Sequence, residues 1–259
     1  MAFPLRTRTR GRPGRNAGVT NVAATPAFNP LTSWTTAPIH GVWASDPAWT
    51  PPADGGAVSS WRNGGSVGGD FVQETGAKQP TYDAALAAYN NAAVVTFDGT
   101  DDVLFRDIAD VAQPFYLLLV GDTAGGTGAE NLLGIGANEA ATTGSGLGDT
   151  ITGVWNIRAG GPDRPGGTTD TNPHLFRATY NGASSLLSVD GAATATGNTG
   201  TDPATVLALG AAASAVPAYS RYLNGSIAYM ALFTTDPSGQ AEWATFKAWV
   251  TSTYGIAVA

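Results

Sequence analysis

Three carboxylates, Asp98, Asp101 and Asp102, crowd into the stretch VVTFDGTDDVLF, between two apolar runs. Carboxylates this close can do one of three things. They can hold a hard cation such as calcium, which takes about six to eight oxygens, several of them from carboxylates and loop carbonyls. They can act as an acid pair on a glycosidic bond. They can also accept local backbone N–H groups in a hairpin turn and keep a sheet edge soluble. The spacing is not that of an EF-hand loop. The turn is the favoured reading, a strand–turn–strand unit whose turn begins at Asp98-Gly99, with Val95, Phe97, Val103 and Phe105 as packing residues. Calcium on Asp98, Asp101 and Asp102 is the alternative, and no other cofactor is expected.

Other chemistry is limited by composition. The chain has no cysteine, which excludes disulfides, thiolate metal sites and a cysteine nucleophile. Its two histidines are His40 and His174, so a metal site built on several histidines is excluded, and a serine–histidine triad would need one of these two. Residues 121–130, GDTAGGTGAE, are glycine-rich but do not end in the GK[ST] of a phosphate loop. No apolar run approaches the length of a membrane span. Charge is unevenly placed. Arg6, Arg8, Arg10, Arg12 and Arg15 make the first 15 residues basic, while the formal total is −7, so the body that follows is acidic. The arm has no hydrophobic period and no apolar run behind its arginines, so neither a packed element nor a secretory signal is expected there. Such a segment binds acidic surfaces. Docking on a protein subunit is favoured over nucleic acid.

The elements that must position these residues read mostly as strands. Residues 31–56 are rich in Pro, Ala and Thr, with Trp34, Trp43 and Trp49 interspersed. Proline fixes φ and disfavours helix before it, so this is expected to be an extended wrapping segment. Its tryptophans are expected as buried anchors, with a sugar platform as the alternative. From about residue 57, short apolar runs alternate with turn signals: SSWRNGG, AAVVTFDG, DDVLFRDI, QPFYLLLVGD, ENLLGIGA, GVWNIRAGG, HLFRATYNGASSLLSVDG, ATVLALGA and LNGSIAYMALF. Many short strands with turns at roughly ten-residue intervals predict an all-β sandwich or jelly roll. One helix is expected near the end. Asp236 and Pro237 read as N-cap and first helical position, Gly255 as the stop, and Trp243, Phe246, Trp249 and Val250 as one buried face.

In this order, SSWRNGG, FVQETGAKQPTY, VVTFDGTDDVLF, FYLLLVGD, ATYNGASSLLSVDG, LNGSIAYMALF and EWATFKAWVTSTYGI resemble the LamG-like, concanavalin A-like jelly rolls of tailed-bacteriophage structural proteins. The resemblance covers roughly residues 57–256 and leaves the arm outside. It implies a two-sheet antiparallel jelly-roll sandwich over 57–259, an extended N-terminal arm over 1–30 and a C-terminal helix. It also implies a non-enzymatic minor tail or capsid decoration protein on the virion exterior, assembled in the bacterial cytoplasm. Arg6, Arg8, Arg10, Arg12 and Arg15 would contact other tail or capsid subunits, and several copies of the chain would associate. A host-glycan-binding adhesin is the alternative, with no sugar-binding residues assigned. Glucanases of this fold carry alternating acids, Glu-x-Asp-x-Glu, because side chains two apart share a strand face. The four glutamates here, Glu74, Glu130, Glu139 and Glu242, form no such pattern. Absence of activity is therefore expected.

Overall fold

The run Phe115–Gly121, FYLLLVG, shows how this chain builds its layers. Successive strand residues point to opposite faces. Leu117 and Leu119 enter one buried cluster with Phe97, Phe176 and Met230. Leu118 and Val120 enter another with Tyr229, Phe233 and Phe246. A strand that is apolar on both faces must be covered on both, so this sheet is an inner layer.

The computed structural model describes residues 28–124, 129–136, 145–149, 153–215 and 218–259. In chain order the strands are β1 (His40–Trp43), β2 (Ser60–Trp61), β3 (Phe71–Val72), β4 (Thr81–Leu86), β5 (Ala92–Asp98), β6 (Leu104–Val111), β7 (Phe115–Gly121), β8 (Asn131–Gly134) and β9 (Gly146–Asp149). There follow β10 (Val154–Arg158), β11 (Arg164–Thr168), β12 (His174–Tyr180), β13 (Ser185–Val189), β14 (Ala192–Gly197), β15 (Ala204–Leu209), β16 (Ala212–Ala215), β17 (Ala218–Ser220), β18 (Asn224–Phe233) and the helix α1 (Trp243–Tyr254). One eight-stranded sheet runs β14-β13-β12-β7-β18-β5-β4, with β1 also on β18. A second runs β11-β10-β9-β8-β15-β6-β3-β2, and β16 pairs with β17. The ten residues of β18 serve two partners along one edge. Asn224–Ile227 pairs with β5 and Tyr229–Leu232 with β1, while β7 lies along the other edge. The expected all-β, two-sheet antiparallel sandwich with one C-terminal helix is therefore present.

The helix differs from its expected start. The Asp236 carboxylate accepts the Ser238 N–H at 2.8 Å and caps a single 3-10 turn, Pro237–Gly239. The α-helix begins only at Trp243 and stops at Gly255, whose φ of 75° is the left-handed stop conformation. Phe246, Val250 and Tyr254 are buried against the first sheet. Trp243 and Trp249 are half-buried at the margin of that contact rather than in it. Trp34 is buried in the same cluster and Trp43 packs against it, as anchors should. Among the described residues no helix is long and apolar enough to cross a membrane.

Candidate functional site

The three aspartates singled out by the sequence lie together. Their carboxylate oxygens fall within 4.8 Å of one another, with Asp98 exposed, Asp101 half-buried and Asp102 buried. The turn that carries them is not a hairpin. Its strands belong to different sheets: β5 pairs with β18 and β4, whereas β6 pairs with β15 and β3. The segment is a crossover between the layers. Gly99 (φ +77°) makes it possible, since a Cβ there would meet the Asn224 Cβ at 2.8 Å. Val95 and Phe97 fill the space between the sheets, while Val103 is buried in a separate cluster against which Phe105 packs. The carboxylates are already used locally. Asp102 accepts the Asp98 N–H at 3.0 Å, and Asp98 accepts the Thr100 N–H at 2.8 Å. Burial, with the neighbouring Asp98 and Asp101 charges, lifts the Asp102 carboxyl to about 6 against the pull of the Asp98 N–H. A cation would relieve that repulsion, and the donor set is carboxylate oxygen, which suits calcium.

A second cluster is not evident in the sequence. It is an open cleft of about 610 Å³ lined by Trp49, Thr50, Ser59, Ser60, Arg62 and Asp70, with neighbouring prolines and alanines. It lies between the segment after β1 and the β2–β3 connection. The Trp49 ring stacks on Trp61 at 5.8 Å, takes the edge of Tyr82 at 5.6 Å, and donates its Nε1–H to the Ser60 carbonyl at 3.2 Å. It is thus both a packing anchor and a cleft wall. The Arg62 guanidinium donates to the buried Asp46 carboxylate, whose other oxygen accepts the Ala48 N–H at 3.0 Å. Asp70 accepts the Ser60 hydroxyl at 3.1 Å and the Asn63 N–H at 3.2 Å.

Asn63 anchors the loop between Arg62 and Asp70, beside the cleft. Its buried side chain accepts the N–H groups of Gly41 at 2.8 Å and Gly65 at 3.0 Å. It donates to the Gly68 carbonyl at 2.8 Å and to Nδ1 of His40 at 3.2 Å. The whole amide is therefore satisfied, and the loop carrying Arg62 and Asp70 is tied to β1. Gly65 is required there, because a Cβ would lie 2.5 Å from the Ile39 carbonyl oxygen. Burial, aided by the Arg106 charge, lowers His40 to about 4, so its ring is neutral and accepts from Asn63.

Elsewhere Asp122, opposite Ser226, is lifted to about 6 by burial. Its carboxylate accepts the Ser226 N–H at 2.7 Å. His174 sits between two carboxylates, with Nδ1 at 2.7 Å from Asp190 and Nε2 at 3.0 Å from Asp170. Those carboxylates raise its pKa against the effect of burial. They occupy opposite ring nitrogens, so this is an ion-pair clasp and not a metal site. Arg6, Arg8, Arg10, Arg12 and Arg15 lie outside the described residues.

The fold and cleft define a class: an antiparallel β-sandwich with a polar, aromatic-walled groove beside β2 and β3. No family model matches the chain, and no curated protein matches it in sequence. Solved structures do. A Trypanosoma rangeli sialidase in complex with 2,3-difluoro-KDN is 15% identical, with a TM-score of 0.54, over 89% of this chain and 35% of that one. The same enzyme in complex with 2,3-difluorosialic acid, as a covalent intermediate, is 14% identical at a TM-score of 0.52, over 83% and 32%. Its complex with the inhibitor DANA is 16% identical at 0.51, over 82% and 32%. The chain thus spans about a third of the length of these proteins, and likeness at such identity shows the fold. The jelly-roll part of the sequence resemblance stands on this, while the LamG-like family rests on the sequence pieces alone. One expectation is corrected. The chain was expected to lack activity, yet the solved structures that share its fold include sialidases, so the fold gives no ground for excluding catalysis. The missing Glu-x-Asp-x-Glu alternation excludes only that one arrangement of acids.

Proposed function

We propose that this chain is a carbohydrate-binding jelly-roll sandwich and that the Trp49–Arg62–Asp70 cleft is its sugar site. The observation that carries the reading is the cleft's composition. An aromatic ring held rigid by its neighbours, an arginine fixed by a buried carboxylate, an exposed carboxylate and the hydroxyls of Thr50, Ser59 and Ser60 line one open groove. Sugars present apolar ring faces and many hydroxyls, so they need this mixture of flat apolar surface and placed donors and acceptors. The shared fold with sialidases solved in complex with sialic acid derivatives supports the same reading.

Its setting, in this proposal, is the exterior of a tailed-phage particle, with Arg6, Arg8, Arg10, Arg12 and Arg15 docked on tail or capsid subunits. The ordered series of sequence pieces supports that setting, and so does the contrast between a basic arm and an acidic body. Glycan-array binding by the whole chain tests the first part. Trp49→Ala should abolish the signal while the protein stays folded, and binding that survives it would move the sugar elsewhere. Reducing-sugar release in the same samples reads any hydrolysis. Removing residues 1–15 tests the second part: truncated protein that still joins particles normally would refute the docking role.

A further inference from the structure

The charge around the cleft carries the reading one step further, and this step rests on the sugar site just proposed. The sign of that charge is not the sign of Arg62. Its guanidinium is paired with Asp46, which is buried at 5% exposure and whose side chain, among the described residues, serves this arginine and the Ala48 N–H alone. Asp70 is exposed on the same groove, and among the described residues no cation pairs with it. Counting the groove's lining and Asp46, one positive charge meets two negative ones, while the Arg106 guanidinium lies against Gly69, next to Asp70, and is not part of the lining. The hydrogen-bonding capacity is complementary to a diol. A guanidinium has about five N–H donors, of which the Asp46 contact uses one. The Asp70 carboxylate has about four acceptor positions, of which Ser60 and Asn63 use two.

We infer that the cleft selects neutral sugars, with Arg62 donating to and Asp70 accepting from the ligand's hydroxyls, and discriminates against sugars that carry a carboxylate. An acidic sugar would place its charge beside Asp70 without finding an unmatched cation among the lining residues, and such like-charge juxtaposition is how a site rejects a wrong partner.

The test is an array of matched glycan pairs, each neutral oligosaccharide beside the same oligosaccharide ending in a sialic or uronic acid, followed by titration calorimetry on the strongest pair. The neutral member should bind at least about tenfold more tightly, which is the size of one charge-assisted hydrogen bond gained or lost. The gap should narrow as salt rises from low to physiological strength, and Asp70→Asn should narrow it further. Arg62→Ala should weaken neutral-sugar binding by about tenfold or more. That variant strands the Asp46 carboxylate and can lose stability, so the surface variant Asp70→Asn is the decisive one. Tighter binding of the acidic member, or a gap that Asp70→Asn leaves unchanged, would overturn this inference and leave the sugar site standing. Binding of neither member would overturn both.

Discussion

Replacing Asn63 with alanine should cost about 5 kcal/mol of stability, with no loss of apolar burial to account for it. The amide makes four hydrogen bonds and is 5% exposed. Two of them, to the Gly41 N–H and to His40 Nδ1, are in buried surroundings. Stranding a buried partner costs about 1–3 kcal/mol each. The bonds to Gly65 and Gly68 are only partly buried, so water replaces them at roughly 0.5 kcal/mol each. The sum centres on about 5 kcal/mol, which is exceptional for one polar side chain in a loop. Urea unfolding followed by tryptophan fluorescence measures it directly. The midpoint should fall with the slope unchanged, since the surface exposed on unfolding stays the same. Sugar affinity should fall with it, because Asn63 stands between Arg62 and the Asp70 that its own N–H holds. A loss below about 1 kcal/mol, at constant slope, would show that the loop keeps its place without this amide. The account of the cleft as a preformed site would then be wrong.

The helix gives a ranking. Phe246 is fully buried against Trp34, Tyr229 and the helix's own tryptophans, so Phe246→Ala should cost about 3–5 kcal/mol. Half-buried Trp249 should cost less on replacement by Ala, and the reverse order in thermal melts would refute the assigned face. His40 predicts acid sensitivity. Its folded pKa, about 4, lies below the ordinary value of 6.5, so its contribution is full above pH 6.5 and is lost as pH falls toward 4. Unscreened, that shift corresponds to about 3 kcal/mol, and solvent screening leaves about 2 kcal/mol. Asp102 and Asp122, both raised to about 6, act in the opposite sense as pH falls from 6 toward 4. The readout is therefore the stability difference between the wild type and His40→Gln, which should shrink by that amount from pH 7 to pH 4. A difference that does not vary with pH would refute the neutral-ring account. Millimolar calcium should move the melting point by less than about one degree, because Asp98 and Asp102 already serve the turn's own N–H groups. A rise of several degrees that Asp101→Asn removes would establish a metal site instead.

Local patterns carried much of the fold. FYLLLVG and IAYMALF are continuous apolar runs, and both became strands buried on two faces. The stop at Gly255 and the packing face through Phe246 and Val250 followed from helical spacing. Failures came where a local signal has two long-range outcomes. Asp98-Gly99 supplies the same chemistry to a hairpin and to a crossover, and what separates them is which strands lie alongside. Val95 and Ile227 are paired although they are 132 positions apart, and nothing near Asp98 reports that partner. Likewise Asp236 has the chemistry of a helix cap, and it caps a turn that stops short of the helix.

The cleft illustrates the same limit on chemistry. In the sequence, Arg62 reads as one cation of a turn, SSWRNGG, and Asp46 as part of a proline-rich wrap. Only folding joins them, across 16 positions, and the pairing changes what Arg62 offers a ligand. An unpaired arginine would draw a carboxylate. An arginine already matched by a buried aspartate, beside a second aspartate left exposed, offers directed donors rather than an unmatched charge. Residue type alone would have predicted an acidic ligand here. In the proposed sugar site the charge class of the ligand therefore depends on tertiary contacts, and Asp70→Asn is the substitution that separates the two predictions.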